Sequence, residues 1–442
     1  MQRRPAIPFA VLRCCLFLAW LGSTACPAQV TLHDCGEAGE RVRCGVLRVP
    51  ENRKLPDGRR LDLSLMVVAH TGASKPREPL FIIKGGPGET ATTDIEDTIA
   101  LFRAVRAEHD LVLLDQRGTG VTRLRCLTDD HAFMVPRDPE RCLARLQAQA
   151  DLRFYTTEHF VEDLDDARAA LGYEQISLWG ASYGTRVAYV YAKRYASRVR
   201  SLVLVAPAPL SLPLLDSFGD DGRAVLEALA ADCARDHACG KAFPTVLADV
   251  RRLRDSLTDR FDLIGLHLLL YSSYSSRWIP FLASRAAAAD PAPLKTAIVE
   301  ARSQLLPRLT LGLHLAVFCS EDLPFHPPGF SPDSRSFLRS EYDIACSAWP
   351  HADLPADFHT VVRVDKPALL IAGEWDPATA PRWARAAAAQ FSRSQLVIVP
   401  KEGHILVRLS DCLGAMTGEF LAKGNADPAC AMRLKPLPYR LQ

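Results

Sequence analysis

This 442-residue chain has no stretch in which Lys and Arg concentrate, and its formal net charge is only +2. Without a basic stripe to neutralise phosphates, a nucleic-acid partner is not expected. No membrane span is expected either: the apolar run from Phe9 to Leu21, broken by Arg13, falls short of the about 20 residues a span requires. No C-x-x-C pair stands near a histidine, so the pattern of a structural zinc site is missing. Internal repeats are missing too. AAAA recurs at 286–289 and 386–389, but that is helix-forming composition rather than a repeated unit. What remains is a globular balance, 48% hydrophobic and 24% charged. The length suits two or three units, or one large fold carrying an insertion.

The apolar run follows Arg3 and Arg4 and precedes small residues around Ala25 to Ala28. This is the layout of a secretory signal peptide. Residues 1–28 are therefore expected to be a leader cleaved after Ala28, giving a secreted or periplasmic protein. Cys26, after Ser-Thr-Ala, also hints at a lipid anchor, although Ser23 stands where such signals prefer Leu. Export changes how the cysteines read. Of 13, Cys14, Cys15 and Cys26 fall in the leader and ten remain, an even number that suggests disulfides. They fall as neighbours: Cys35 and Cys44, Cys126 and Cys142, Cys233 and Cys239, Cys319 and Cys346, Cys412 and Cys430. Spacing alone does not choose among the possible pairings. The other reading is ten buried thiols in a protein that is not exported.

"CGVLRVPEN" (44–52) and "LDLSLMVVA" (61–69) flank the turn "KLPDGRR", and the second alternates as an antiparallel strand does. Continuous apolar runs follow at 79–88, 110–120, 175–184, 201–209, 367–376 and 394–404. Such runs suit parallel strands buried on both faces. Helical patterns lie between them, as in "TEHFVEDLDDARAALG" (157–172), and the alternation predicts a parallel α/β sheet. From 210 to 365 the buried-strand pattern stops and helical segments dominate, for example 222–236 and 245–260. The expected organisation is a leader (1–28), a first part of the core (29–209), a helical cap inserted between strands (210–365) and a second part of the core (366–442).

Gly180-Ala181-Ser182-Tyr183-Gly184 fits G-x-S-x-G at the end of one apolar run and the start of a helical pattern. An abrupt strand-to-helix turn strains the residue at its apex; flanking glycines remove Cβ clashes, so Ser182 can project from the strand's C-terminal edge. The Tyr183 N–H then faces a developing oxyanion. Serine is a weak nucleophile and needs a base that a third group orients. In a fold of this kind the chain order is Ser, then Asp or Glu, then His. "LLIAGEWDPATAP" places Asp376 just after one apolar run, with Glu374 as its competitor, and "LVIVPKEGH" places His404 after the next. Of the twelve histidines, only His404 ends a buried-looking strand downstream of Ser182. "IIKGGPGE" supplies a second oxyanion donor: Pro87 has no N–H, so Gly86 is preferred, with Gly85 second.

With Gly85-Gly86-Pro87-Gly88, Asp115-Gln116-Arg117-Gly118-Thr119-Gly120, the Ser182 motif, Asp376-Pro377 and Gly403-His404 in order, the chain resembles the α/β-hydrolase peptidases. Within them it resembles the prolyl and tripeptidyl aminopeptidase branch, over nearly all of the expected mature chain. The resemblance implies an α/β-hydrolase fold and a secreted serine peptidase releasing one or a few residues from peptide N-termini. It implies no metal or organic cofactor. The contexts "DCARDHACGKAF", "FCSEDLP", "CSAWP" and "DCLGAMTGEFLAKGNADPAC" match secreted members and support pairing of neighbouring cysteines. Relatives anchor the substrate amine with cap acids, and Glu321 and Asp322, just after Cys319, are the candidates here. Asp115 and Arg117 are expected to brace loops by ion pairing. Lys84, Val121-Thr122 and Ile405 depart from residues common in relatives, which bears on pocket shape. The rival readings are an esterase or amidase acting on small non-peptide substrates and a hydrolase-like binding protein. The complete triad argues against the second.

Overall fold

The computed structural model describes residues 29–36, 40–126, 134–325 and 337–442. The expected leader, including Cys26, lies outside them. Among the described residues, nine strands are formed: β1 (Gln29–Asp34), β2 (Val42–Pro50), β3 (Arg60–Val68), β4 (Leu80–Ile83), β5 (Leu111–Leu114), β6 (Ile176–Ala181), β7 (Val199–Val205), β8 (Val364–Gly373) and β9 (Phe391–Val399). They make one sheet in the order β1-β2-β3-β5-β4-β6-β7-β8-β9. Pairings are antiparallel from β1 through β3 to β5 and parallel from there to β9. The apolar runs thus become the parallel strands, and the turn after Pro50 joins the expected antiparallel pair. β1 is an additional edge strand, paired from Gln29↔Arg48 to Asp34↔Arg43.

The period of two along each strand divides the core. Leu65, Phe81, Val112, Leu178, Leu202 and Leu370 pack on one face of the sheet. Their chain neighbours Met66, Leu80, Leu113, Trp179, Val203 and Leu369 pack on the other. Helices cover both faces, which is why these strands are apolar without interruption.

Among the described residues, no strand forms between β7 and β8. A long helix, Leu214–Arg235, opens this block, and Val246–Ser256 and Ile279–Ala287 follow. The helices enclose their own cluster, including Val225, Leu229, Val250 and Ile279, and Trp375 from the loop after β8 joins it. Burying one such side chain stabilises by about 1.5–3 kcal/mol, so Trp375 fastens the helical block to the loop that carries Asp376. None of the described helices is long and apolar enough to cross a membrane.

Five disulfides join the neighbouring cysteines: Cys35–Cys44, Cys126–Cys142, Cys233–Cys239, Cys319–Cys346 and Cys412–Cys430. Arg117 braces loops as expected, forking onto Asp163 with two bonds of 2.7 Å. Asp115 braces differently. Its carboxylate accepts from Ala91 N, Thr92 N and Thr92 Oγ1 at 2.9–3.0 Å and so orders the segment just after Gly85–Gly88 through uncharged donors.

Candidate active site

Ser182 sits between β6 and the helix Tyr183–Arg194 with φ 53° and ψ −123°. An L-residue held there is strained by about 1–3 kcal/mol. The two glycines of the motif permit the turn through close approach. A Cβ at Gly184 would lie 2.3 Å from Ile83 O, and one at Gly180 would lie 2.5 Å from Gly184 O. Ser182 N–H donates to Val205 O on the neighbouring strand at 2.9 Å, and Thr185 Oγ1 donates to Ser182 O. The backbone under the hydroxyl is therefore fixed from two sides.

His404 Nε2 lies 3.0 Å from Ser182 Oγ. Its Nδ1 lies 3.0 and 2.9 Å from the two oxygens of Asp376. Asp376 is fully buried and also accepts from Ala378 N, Thr379 N and Thr379 Oγ1 at 2.7–2.8 Å. Burial alone would raise its carboxyl pKa, but the His404 ring and the Thr379 donors outweigh burial and hold it below the ordinary value. Burial likewise opposes charge on His404, yet Asp376, with a smaller contribution from Glu89, raises the imidazole above its usual range. Such an arrangement can take a proton from the hydroxyl and hold it. Glu374, the competitor of Asp376, is engaged elsewhere: it accepts from Lys401 N at 2.9 Å.

Tyr183 begins its helix, and the first N–H groups of a helix have no partner within it. Gly85 N–H is drawn to Glu89 Oε2 at 3.2 Å. Gly86, at φ 107°, borders both cavities that meet at Ser182.

The helix Leu311–Val317 ends in a π-helical turn, Phe318–Asp322, and Cys319–Cys346 pins that turn. The two cap acids diverge from it. Glu321 is fully buried; its oxygens accept from Thr157 N at 2.7 Å and Thr157 Oγ1 at 2.8 Å, at the start of the helix Thr157–Ala170. Burial pushes its carboxyl up to about 7, against the pull of Arg186 and Thr157. Asp322 receives the Arg186 fork through two bonds of 2.8 Å, and Arg186 Nη1 is 3.6 Å from Glu321. Asp322 and Arg186 line a cavity of about 550 Å³, including space open to solvent, that reaches Ser182, Tyr183 and Gly86. Its other walls include Phe218, Phe318 and Tyr271. A second cleft of about 1340 Å³ opens from Ser182 past His404.

Three contributors are not visible as motifs. Thr379 holds Asp376, Arg186 pairs with Asp322 beside Glu321, and Tyr271 from the helical block packs its ring 4.9 Å from that of His404. Thr379 and Arg186 each stand three or four residues beyond a motif residue, so searching one turn past each motif would have found them. Tyr271 lies 133 residues before His404 in sequence, and only folding brings the two together.

The sequence matches the α/β-hydrolase fold family over residues 78–408, and the chain belongs to that family. It is similar to the serine protease Hip1 of Mycobacterium tuberculosis, 28% identical over 225 residues, which covers 44% of this chain and 42% of that protein. It is also similar to the tripeptidyl aminopeptidase of Streptomyces lividans, 27% identical over 206 residues, covering 41% and 38%. The chain thus spans less than half the length of these curated relatives. Among solved structures, a proline iminopeptidase of Mycobacterium smegmatis aligns over 86% of this chain and 98% of its own, with 17% identity and a TM-score of 0.45.

Proposed function

We propose that this protein is an exported serine peptidase that releases one or a few residues from the free N-termini of peptides. The observation that carries this reading is the junction of the Ser182–His404–Asp376 line with a cavity walled by Asp322. Ser182 attacks the carbonyl while His404 takes its proton. Asp376 fixes the imidazole tautomer and stabilises the cation. The Gly86 and Tyr183 N–H groups receive the oxyanion. His404 then protonates the leaving amine, and water, activated by the same ring, frees the acyl group from Ser182. These steps use the chain's own residues, with no metal or organic cofactor.

The smaller cavity borders both oxyanion donors, so it suits the acyl part of the substrate, the residues to be released. Asp322 at its wall is the amine anchor in this reading. Glu321, held by Thr157, stands behind it and adds negative charge near Arg186. With both acids ionised, Arg186, Glu321 and Asp322 sum to one negative charge, which a substrate ammonium balances. The relatives named serine protease and tripeptidyl aminopeptidase lend support. Five disulfides suit an oxidising compartment and hence export.

A panel of Pro-, Ala- and tripeptidyl chromogenic amides, run beside their N-acetylated forms and short-chain esters, tests the proposal. Cleavage of the free-amine amides above the acetylated ones is expected. Turnover of the esters alone would return the reading to an esterase.

A further inference from the structure

We propose that the larger cleft is a leaving-group subsite selecting peptides whose first residue after the scissile bond carries a large apolar side chain. This inference rests on the peptidase reading above and adds a specificity to it.

The first argument is one of side. Whatever leaves Ser182 must take a proton from His404 Nε2, so the leaving nitrogen lies on the histidine side of the serine. The larger cleft is lined by Ser182, Gly86, His404 and Ile405, whereas His404 does not line the smaller one. The segment released with the new amine therefore enters the larger cleft.

The second argument is one of chemistry. Leu305 and Leu309 come from the helical block, Trp179 from the strand before Ser182, and Leu406 and Leu413 from the segment after His404. Leu309 reaches the oxyanion loop itself: its Cδ2 would lie 3.2 Å from a Cβ at Gly86. Three separate parts of the chain thus converge as an apolar wall beside the reacting bond. Among the described residues, the charged lining groups besides His404 are Lys84, Glu89 and Arg308. Glu89 is drawn to Gly85 N–H, and Arg308 pairs with Asp94 at 3.5 Å. An apolar side chain entering here would gain by burial against these leucines, whereas an acidic one would give up hydration for the company of Lys84 and gain less.

The third argument is one of size. Counting the space open to solvent, the leaving-side cleft spans about 1340 Å³ against about 550 Å³ for the smaller cavity, so a large side chain and the chain that follows it fit better on the leaving side.

The test holds the released residue constant, using the one cleaved best in the amide panel. The next residue then runs through Gly, Ala, Leu, Phe and Asp in peptides with a free N-terminus and an amidated C-terminus. Expected is a rise in kcat/KM of roughly 10- to 100-fold from Gly to Leu or Phe, with Asp below both. Leu305→Asn should lower the Phe-over-Gly ratio at least about fivefold. Val407→Asp, at a cleft-lining residue that is 51% exposed, provides a second variant that keeps the core intact and should lower the same ratio. Equal cleavage of the Gly and Phe peptides, or ratios unmoved in both variants, overturns the subsite while leaving the peptidase reading in place. If no peptide is cleaved but esters are, the peptidase reading falls instead. The cleft is then tested with esters of one acid and alcohols from methyl to benzyl, where a flat series overturns it.

Discussion

Tyr271 and His404 are joined twice. Their rings lie 4.9 Å apart, and the Tyr271 carbonyl accepts the N–H of Ile405, the residue after the histidine, at 2.7 Å. Gly403, just before the histidine, passes so close that a Cβ there would lie 2.6 Å from the same carbonyl. The helical block is therefore part of what aims the imidazole. Tyr271→Phe keeps both ring and carbonyl and is expected to retain nearly full activity. Tyr271→Ala frees the ring of His404, and kcat should fall about 10- to 100-fold, the scale of a misplaced catalytic group. Steady-state kinetics on one substrate check this; equal rates for the two variants would remove Tyr271 from the positioning of His404.

Ser182 carries backbone strain as well as the hydroxyl. Ser182→Ala should abolish hydrolysis and leave the melting temperature near that of the parent, because alanine inherits φ 53°. Ser182→Gly should be equally inactive but more stable than Ser182→Ala, by up to about 1–3 kcal/mol, as the Cβ penalty disappears. The gain is partly offset because glycine has more conformational freedom when unfolded. Thermal melts of the two variants decide it. A fluorophosphonate probe should label Ser182 in the parent alone.

The pH profile follows from the sign of the His404 shift. Activity needs the neutral imidazole, and Asp376 raises its pKa against the opposing effect of burial. The acid limb of kcat/KM should therefore have its midpoint above the ordinary histidine value of about 6.5. Asp376→Asn leaves burial unopposed by that charge. The limb should then move to lower pH while the rate falls about 10⁴-fold. For folding, the raised pKa means that the His404 contribution is fully present below the unfolded-state pKa and is lost as pH rises through the folded one. Rate measurements from pH 5 to 9 on parent and variant test the shift; an acid limb unmoved in the variant refutes it.

Cys319–Cys346 and Cys412–Cys430 should differ in what their removal does. Each closes a loop of a length that stabilises by about 2–4 kcal/mol. Only the first pins the turn bearing Asp322. The serine pair Cys319→Ser and Cys346→Ser should lower the melting temperature and also raise KM for free-amine peptides. Cys412→Ser with Cys430→Ser should lower the melting temperature while KM holds. Matching KM values in the two double variants would detach the first disulfide from the substrate pocket.

The core and the triad line were legible because their signals are local. Buried parallel strands need unbroken apolar runs, and the Ser182 turn needs glycines where a Cβ would strike Ile83 O and Gly184 O. The sheet order was not legible: β5 lies between β3 and β4, and no residue pattern encodes which equally apolar strand is the neighbour. β1 was missed because six residues beside an expected leader offer only a brief alternation. The divergence of Glu321 and Asp322 was illegible for a different reason. A π-helical turn sets the directions of adjacent side chains, and the partners, Thr157 and Arg186, lie more than 130 residues away.

That divergence gives the two acids different tests. Asp322 lines the cavity at Ser182 and its carboxylate is held by Arg186. If it anchors the substrate ammonium, Asp322→Asn keeps the shape and removes the charge. Cleavage of free-amine peptides should then weaken by on the order of 2–3 kcal/mol, as for loss of a desolvated charge partner. N-acetylated substrates carry no ammonium and should change far less. The same substitution leaves the Arg186 guanidinium short of one counter-charge, a cost that falls on stability for every substrate alike; comparing the two substrate classes in one variant cancels it. Glu321→Gln retains an acceptor for Thr157 and lies behind the cavity wall. It should weaken free-amine cleavage less than Asp322→Asn does, because its charge acts at longer range and is already diminished near pH 7. An Asp322→Asn variant that loses equally on free and acetylated substrates would remove Asp322 as the anchor, and a larger free-amine loss in Glu321→Gln would assign the role to its neighbour.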